Sequence, residues 1–131
     1  MLLNTEVSMA GTLLDQQRQA HARVSRQGIT TTAAALQTLF GQRLVAAIAG
    51  VKDAKAVGRW ARGTDVPRAS AAAALENALQ VVELLRTQED DDTIRSWFRG
   101  MHPDLGDRPP ALVIRSAPDH VVQAARAFLS Q

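Results

Sequence analysis

The sequence predicts an all-α protein, and three observations carry that expectation. Hydrophobic residues make up 46% of the chain but aromatics only 4%, so the core must be built from Ala, Leu and Val, a set that suits close helix packing better than sheets. Apolar residues recur at three- and four-residue spacing along most of the chain, and no stretch alternates convincingly as a strand would. Gly, Pro and clustered Asp fall between these periodic stretches, where helices need to start and stop. At 131 residues the chain is one domain, or one small domain with a helical extension, and it is long enough to bury a core without staples. It has no cysteine, so disulfides and thiolate metal sites are excluded.

Taken in order, residues 1–7 read as a frayed end. Ser8 to about Gln27 is a helix with a narrow apolar stripe of Met9, Leu13, Leu14, Ala20 and Val24, and Gly28 stops it. His21 reads as a solvated residue of this helix. Ile29-Thr30-Thr31-Thr32 offers a hydroxyl cap for a second helix over Ala33 to Phe40, with Leu36, Leu39 and Phe40 inward. Gly41 breaks to a third helix, Gln42 to Ala49, carrying Leu44, Val45 and Ile48 on one side, with small Ala46 free to sit against a crossing helix.

Gly50 can take the positive φ that closes this helix. Val51 then points inward and Asp53 caps the next helix, Ala54 to Arg62, which buries Val57, Trp60 and Ala61 and displays Lys55, Arg59 and Arg62. Gly63 ends it. The two short helices around this corner read as a helix-turn-helix, one bracing and the other offering its first turn to the DNA major groove. The corner departs from the tightest form of that motif: Val57 follows Gly50 by seven positions rather than six, and Trp60 is shifted likewise. The competing reading is an ordinary pair of antiparallel helices.

Thr64-Asp65-Val66-Pro67 is a polar turn with proline at the start of a long helix, about 68–87, whose inner stripe is Ala72, Leu75, Leu79, Val82 and Leu84 or Leu85. Glu76, Glu83 and Arg86 face water. The acidic run Gln88 to Asp92 is a solvated break that also suits a helix N-terminus. Asp92 is expected to cap Thr93 to Arg99, which turns Ile94, Trp97 and Phe98 inward before Gly100 ends it. Met101 to Pro110 is a proline-stiffened loop, Ala111 to Arg115 a short helix, and Pro118 to about Leu129 the last helix, with Val121, Val122, Ala125, Phe128 and Leu129 on one face. These segments group into an N-terminal extension (1–28), a helix-turn-helix region (29–68) and a C-terminal helical region (69–131).

Charge divides along the same lines. Residues 41–68 hold six cations against two acids, whereas residues 69–131 hold six against nine. That asymmetry is expected if one part faces phosphate and the other something else. Lys52, Lys55 and Arg59 lie at the start and outer face of the second short helix, and each can reach a guanine edge or a phosphate. Arg62, Arg43 and Arg68 are placed for phosphate. Gln42 and Arg43, at the start of the bracing helix, either meet a phosphate or are merely solvated. A groove reader of this kind dimerises to meet two half-sites, and the N-terminal helix and the helix at 68–87 are the candidate surfaces.

Catalysis finds little support. There is no Cys or Tyr, and His21, His102 and His120 are scattered without nucleophile–base spacing. His102 and Asp104 lack a further histidine at ligand spacing, so no metal and no cofactor is expected. No run approaches a membrane span, and the start MLLNTEVSMAG lacks the features of a signal peptide, so a cytoplasmic location is expected.

Three segments in order, LFGQRLVAAIAGVKDAKAVGRWARG (39–63), ALQVVELL (78–85) and IRSWFRGMHPDLGDRPPALVI (94–114), resemble the Xre/MbcA/ParS antitoxin family, over about 31–131. The third is the most specific: a Trp–Phe helix, a Gly and HPDLGDRPPALV are similar to that family's NP.LG.R.P..LL loop and helix. His102 stands where the family has Asn, and Val113-Ile114 where it has Leu-Leu. The resemblance implies an Xre-like helix-turn-helix followed by a small helical toxin-binding domain. It implies a RES-domain, NAD-consuming toxin as partner, blocked at its active site, and binding of the chain to its own promoter as a homodimer or as a hetero-oligomer with toxin. It implies toxin contact through Trp97, His102, Pro103, Leu105, Arg108 and Pro109. The residues themselves leave a second reading open. Leu105 and the prolines can simply cover the core, Arg108 can pair with Asp104 or Asp107, and Trp97 can be core. A transcriptional regulator of the phage-repressor kind, with no toxin and with 69–131 serving only to dimerise, is the alternative.

Overall fold

The computed structural model describes the backbone of residues 2–131 and the side chains of residues 12–131. The chain is all-α, with no strand among the described residues. Its helices are α1 (Leu2–Phe40), α2 (Gln42–Ala49), α3 (Lys55–Arg62), α4 (Ala69–Leu85), α5 (Asp91–Arg99), α6 (Pro110–Val113) and α7 (Pro118–Leu129), with a 3-10 turn at Pro103–Leu105.

The largest departure from expectation is α1. Gly28 does not stop a helix, and residues 2–40 form one element. Gly28 is solvent-exposed and lies outside the positive-φ region. The expected threonine cap is absent because α1 is already running through residues 30–32. Thr31 Oγ1 donates to the Gln27 carbonyl at 2.8 Å, and Thr38 Oγ1 to that of Ala34 at 3.0 Å. An interior Gly costs a helix about 1 kcal/mol, which the burial of Ile29, Ala33 and Leu36 just beyond it offsets. α1 begins at Leu2, where fraying over residues 1–7 was expected. The Met9 side chain lies outside those described. Leu13, Leu14 and Val24 are 56%, 54% and 66% exposed, so these three side chains stand off the body. From Ile29 onward the helix is core: Ile29, Ala33, Leu36, Leu39 and Phe40 are buried.

Gly41, at φ 81°, turns the chain into α2. α4 packs against α1, α2 and α7. Its buried residues form one stripe at three- and four-residue spacing, rotated from the expected one. Ala71, Ala74, Ala78 and Val81 are buried with Leu75, Val82 and Leu85, while Ala72, Leu79 and Leu84 sit at the edge. The small alanines let these helices approach closely.

α5 is capped two residues earlier than expected. Asp90, not Asp92, accepts the Thr93 N–H at 2.9 Å, which leaves Asp91 and Asp92 in the first turn, where the helix dipole favours them. The bond holds the Asp90 carboxyl below its ordinary range, through the Thr93 backbone first and its side chain second. α5 locks onto the C-terminal end of α1. The Phe40 and Phe98 rings are 4.8 Å apart, and Arg95 Nε donates to the Leu39 carbonyl at 2.8 Å. One buried cluster runs from Ile29 to Ala125.

Candidate nucleic-acid interface and C-terminal loop

The corner between α2 and α3 forms much as its residues dictate. Gly50 adopts φ 75° and donates its N–H back to α2, closing the helix in a conformation that costs other residues about 1 kcal/mol or more. Val51 packs against the core. Asp53 Oδ1 accepts the Lys55 N–H at 3.0 Å, although α3 begins one residue later than expected. Val57 is fully buried and Trp60 is 4% exposed, while Ala61 is half-buried. Gly58 lies against α1 and α2, where a Cβ would come within 2.7 Å of Gln42 Nε2.

The expected DNA-facing residues separate into two groups. Arg43, Lys52, Lys55, Arg62 and Arg68 are exposed, and none makes an ion pair among the described residues. Arg59 differs. Its guanidinium lies 3.5 Å from Asp53 and 3.7 Å from Asp65, bracing the turns before and after α3. Gln42 Nε2 donates to Gln37 Oε1 at 3.0 Å, which ties the start of α2 to α1. No side chain caps α2, so its first N–H groups are open to water or to an anion.

The loop after α5 is tightly ordered. The His102 ring lies 5.0 Å from that of Trp97, and its Nε2 is 2.9 Å from the Trp97 carbonyl. A carbonyl only accepts, so Nε2 carries the proton in this arrangement. The His102 carbonyl accepts the Leu105 and Asp107 N–H groups, and the His102 N–H donates to the Arg108 carbonyl. Arg108 Nε donates to the Leu105 carbonyl at 3.2 Å rather than pairing with Asp104 or Asp107. Gly106 and Asp107 both have positive φ, a conformation Asp tolerates better than most residues.

Trp97 and Leu105, expected as contact residues, are each only 4% exposed and belong to the core beneath the loop. His102 and Pro109 are half-buried, and Pro103 and Arg108 face solvent. Met101 and Leu112, which sequence reasoning did not single out, are large apolar side chains exposed on the elements flanking the loop. Nothing in the local pattern marks them, because the helix at 110–113 is too short to show a periodic face.

A cavity of about 430 Å3 lies behind the α2–α3 corner. Gly50, Trp60, Asp65, Arg68, Ser70 and Arg115 are among the residues around it. Arg115 also escaped sequence reasoning. Elsewhere among the described residues, no three of His, Asp and Glu gather as a metal would require, and no helix is long and apolar enough to cross a membrane. Compared with known proteins, the chain matches no protein-family model, no curated protein and no solved structure.

Proposed function

We propose that this chain is the antitoxin of a type II toxin–antitoxin pair, binding DNA through α2 and α3 and a RES-domain, NAD-consuming toxin through its C-terminal helices. The observation that carries the DNA limb is the braced α3, with Val57 and Trp60 buried beneath it and Lys52, Lys55 and Arg62 standing free on the other side. Arg43 and Arg68 extend that cationic surface to the neighbouring helix starts, where backbone phosphates would be met. Arg59 acts in this reading as the brace of α3, because two carboxylates already hold it.

The toxin limb rests on the resemblance of residues 94–114 to the antitoxin family and on the stiffness of the loop. A loop fixed by its own hydrogen bonds loses little entropy when it enters a toxin's active site. Pro103 and Arg108 supply its outward contacts, with Met101 and Leu112 as an apolar border, while Trp97, His102 and Leu105 set its shape. No catalytic role is assigned to the chain.

Co-expression with the product of the adjacent gene tests the proposal. The expected result is a stable complex in which that product no longer consumes NAD, together with binding of the chain to its own promoter. Arg108→Glu combined with Met101→Asp should release the toxin and leave promoter binding intact. Tight promoter binding without any toxin partner would replace the antitoxin by a plain helix-turn-helix regulator. A lack of DNA binding would remove the α3 limb.

A further inference from the structure

We propose that Arg68 and Arg115 form a phosphate-binding site in the cavity behind the α2–α3 corner. The two side chains come from distant parts of the sequence. Arg68 precedes α4, and Arg115 follows α6. The fold brings both to the wall of one cavity of about 430 Å3, within the range that holds a small ligand.

Arg115 is set there by the backbone of the corner itself. Its guanidinium lies across Gly50 so closely that a Cβ at that position would run into Nη1 and Cζ. Gly50 therefore serves twice, once for its φ of 75° and once for the space it leaves to Arg115.

Neither arginine has a carboxylate within ion-pair distance among the described residues, whereas Arg59, Arg86 and Arg95 all do. The one carboxylate at the cavity, Asp65, is already engaged by Arg59 Nε at 3.7 Å and by the Val66 N–H at 2.8 Å. Trp60, Val66 and Ala71 also line the cavity, and the Ser70 hydroxyl adds a donor. Two guanidiniums without a carboxylate partner on the wall of one cavity select an anion. Their forked donors match the several oxygens of a phosphate group better than a halide.

That phosphate has two sources. It is either a backbone phosphate of bound DNA, an arm that rests on the DNA reading above, or a phosphate on a free small molecule. In both cases the C-terminal half would touch the corner through Arg115.

The test uses the full chain and two probes. Inorganic phosphate is titrated at constant ionic strength, against chloride, while NMR follows the amides of Gly50, Ser70 and Ala71 and the Nε–H of both arginines. Saturable shifts at these groups are expected, with Arg115→Gln and Arg68→Gln each weakening binding about tenfold. Both arginines are exposed, so the melting temperature should change little. In parallel, the salt dependence of duplex DNA binding is measured for the same variants. A slope smaller by about one per arginine removed assigns the site to a backbone phosphate. Phosphate shifts with an unchanged slope assign it to a free phosphate ligand. A chain that binds no duplex refutes the DNA reading but leaves this proposal to the phosphate titration. Unperturbed amides together with an unchanged slope overturn it.

Discussion

Gly28→Ala tests whether α1 runs unbroken, by the sign of its effect. Gly28 is exposed, outside the positive-φ region, and an added Cβ would meet nothing within 4 Å. The substitution therefore removes no contact and introduces no clash. What remains is intrinsic propensity, which favours Ala over an interior Gly by about 0.8–1.0 kcal/mol. That is roughly a fivefold shift in a local opening equilibrium. Ile29, the next residue, is buried, so the gain falls where α1 enters the core. Amide hydrogen exchange should show about fivefold greater protection over residues 20–28, with a small rise in helical circular dichroism. If Gly28 were instead a left-handed helix stop, Ala there would cost about 1 kcal/mol or more. Reduced protection and reduced helicity would then follow, and either would refute the continuous helix. Gly50→Ala serves as the contrasting control: it meets both a positive φ and the Arg115 guanidinium, and should destabilise the chain.

Arg59→Ala should shift stability by less than about 1 kcal/mol, because both of its ion pairs are solvent-exposed. It should weaken binding to promoter and to scrambled duplexes alike, since it removes one cation and frees two carboxylates beside α3. A loss confined to the promoter sequence, on the order of 1–3 kcal/mol, would mean that Arg59 reads a base instead. Asp90→Ala should lower the melting temperature at neutral pH. The Thr93 N–H holds the Asp90 carboxyl below its ordinary 3.8, so its contribution is fully present above that value and is lost as pH falls through the lowered folded-state value. The gap between wild type and Asp90→Ala should therefore close in acid melts. A gap that survives well below that range would exclude ionisation of Asp90 as its source.

The α2–α3 corner was the most legible part of the sequence because its determinants are local. Gly50, Asp53, Val57 and Trp60 lie within one short stretch, and each has a role that its own chemistry dictates. Gly28 misled because a helix stop and a tolerated interior glycine look alike when only neighbours are read. The difference lies in the core packing that begins at Ile29, which neighbours in sequence do not record. The cap of α5 was misplaced by two residues because three adjacent aspartates compete, and the winner is set by which one reaches the Thr93 N–H. The pairing of Arg59 with Asp65, the burial of Leu105 and the meeting of Arg115 with Gly50 all depend on how elements cross, which spacing along the chain does not record.

Phe40 against Phe98, with the Arg95–Leu39 bond beside it, has a consequence for any attempt to take the protein apart. Residues 29–68 are no portable cassette. Excised, they would leave Leu36, Val45 and Ile48 bare, because α1 and α2 pack against α4, and α2 also against α6. A protease or a frameshift that removed the C-terminal helices would therefore unfold α2 and α3 as well. The cell would clear a misfolded remnant rather than keep a working half.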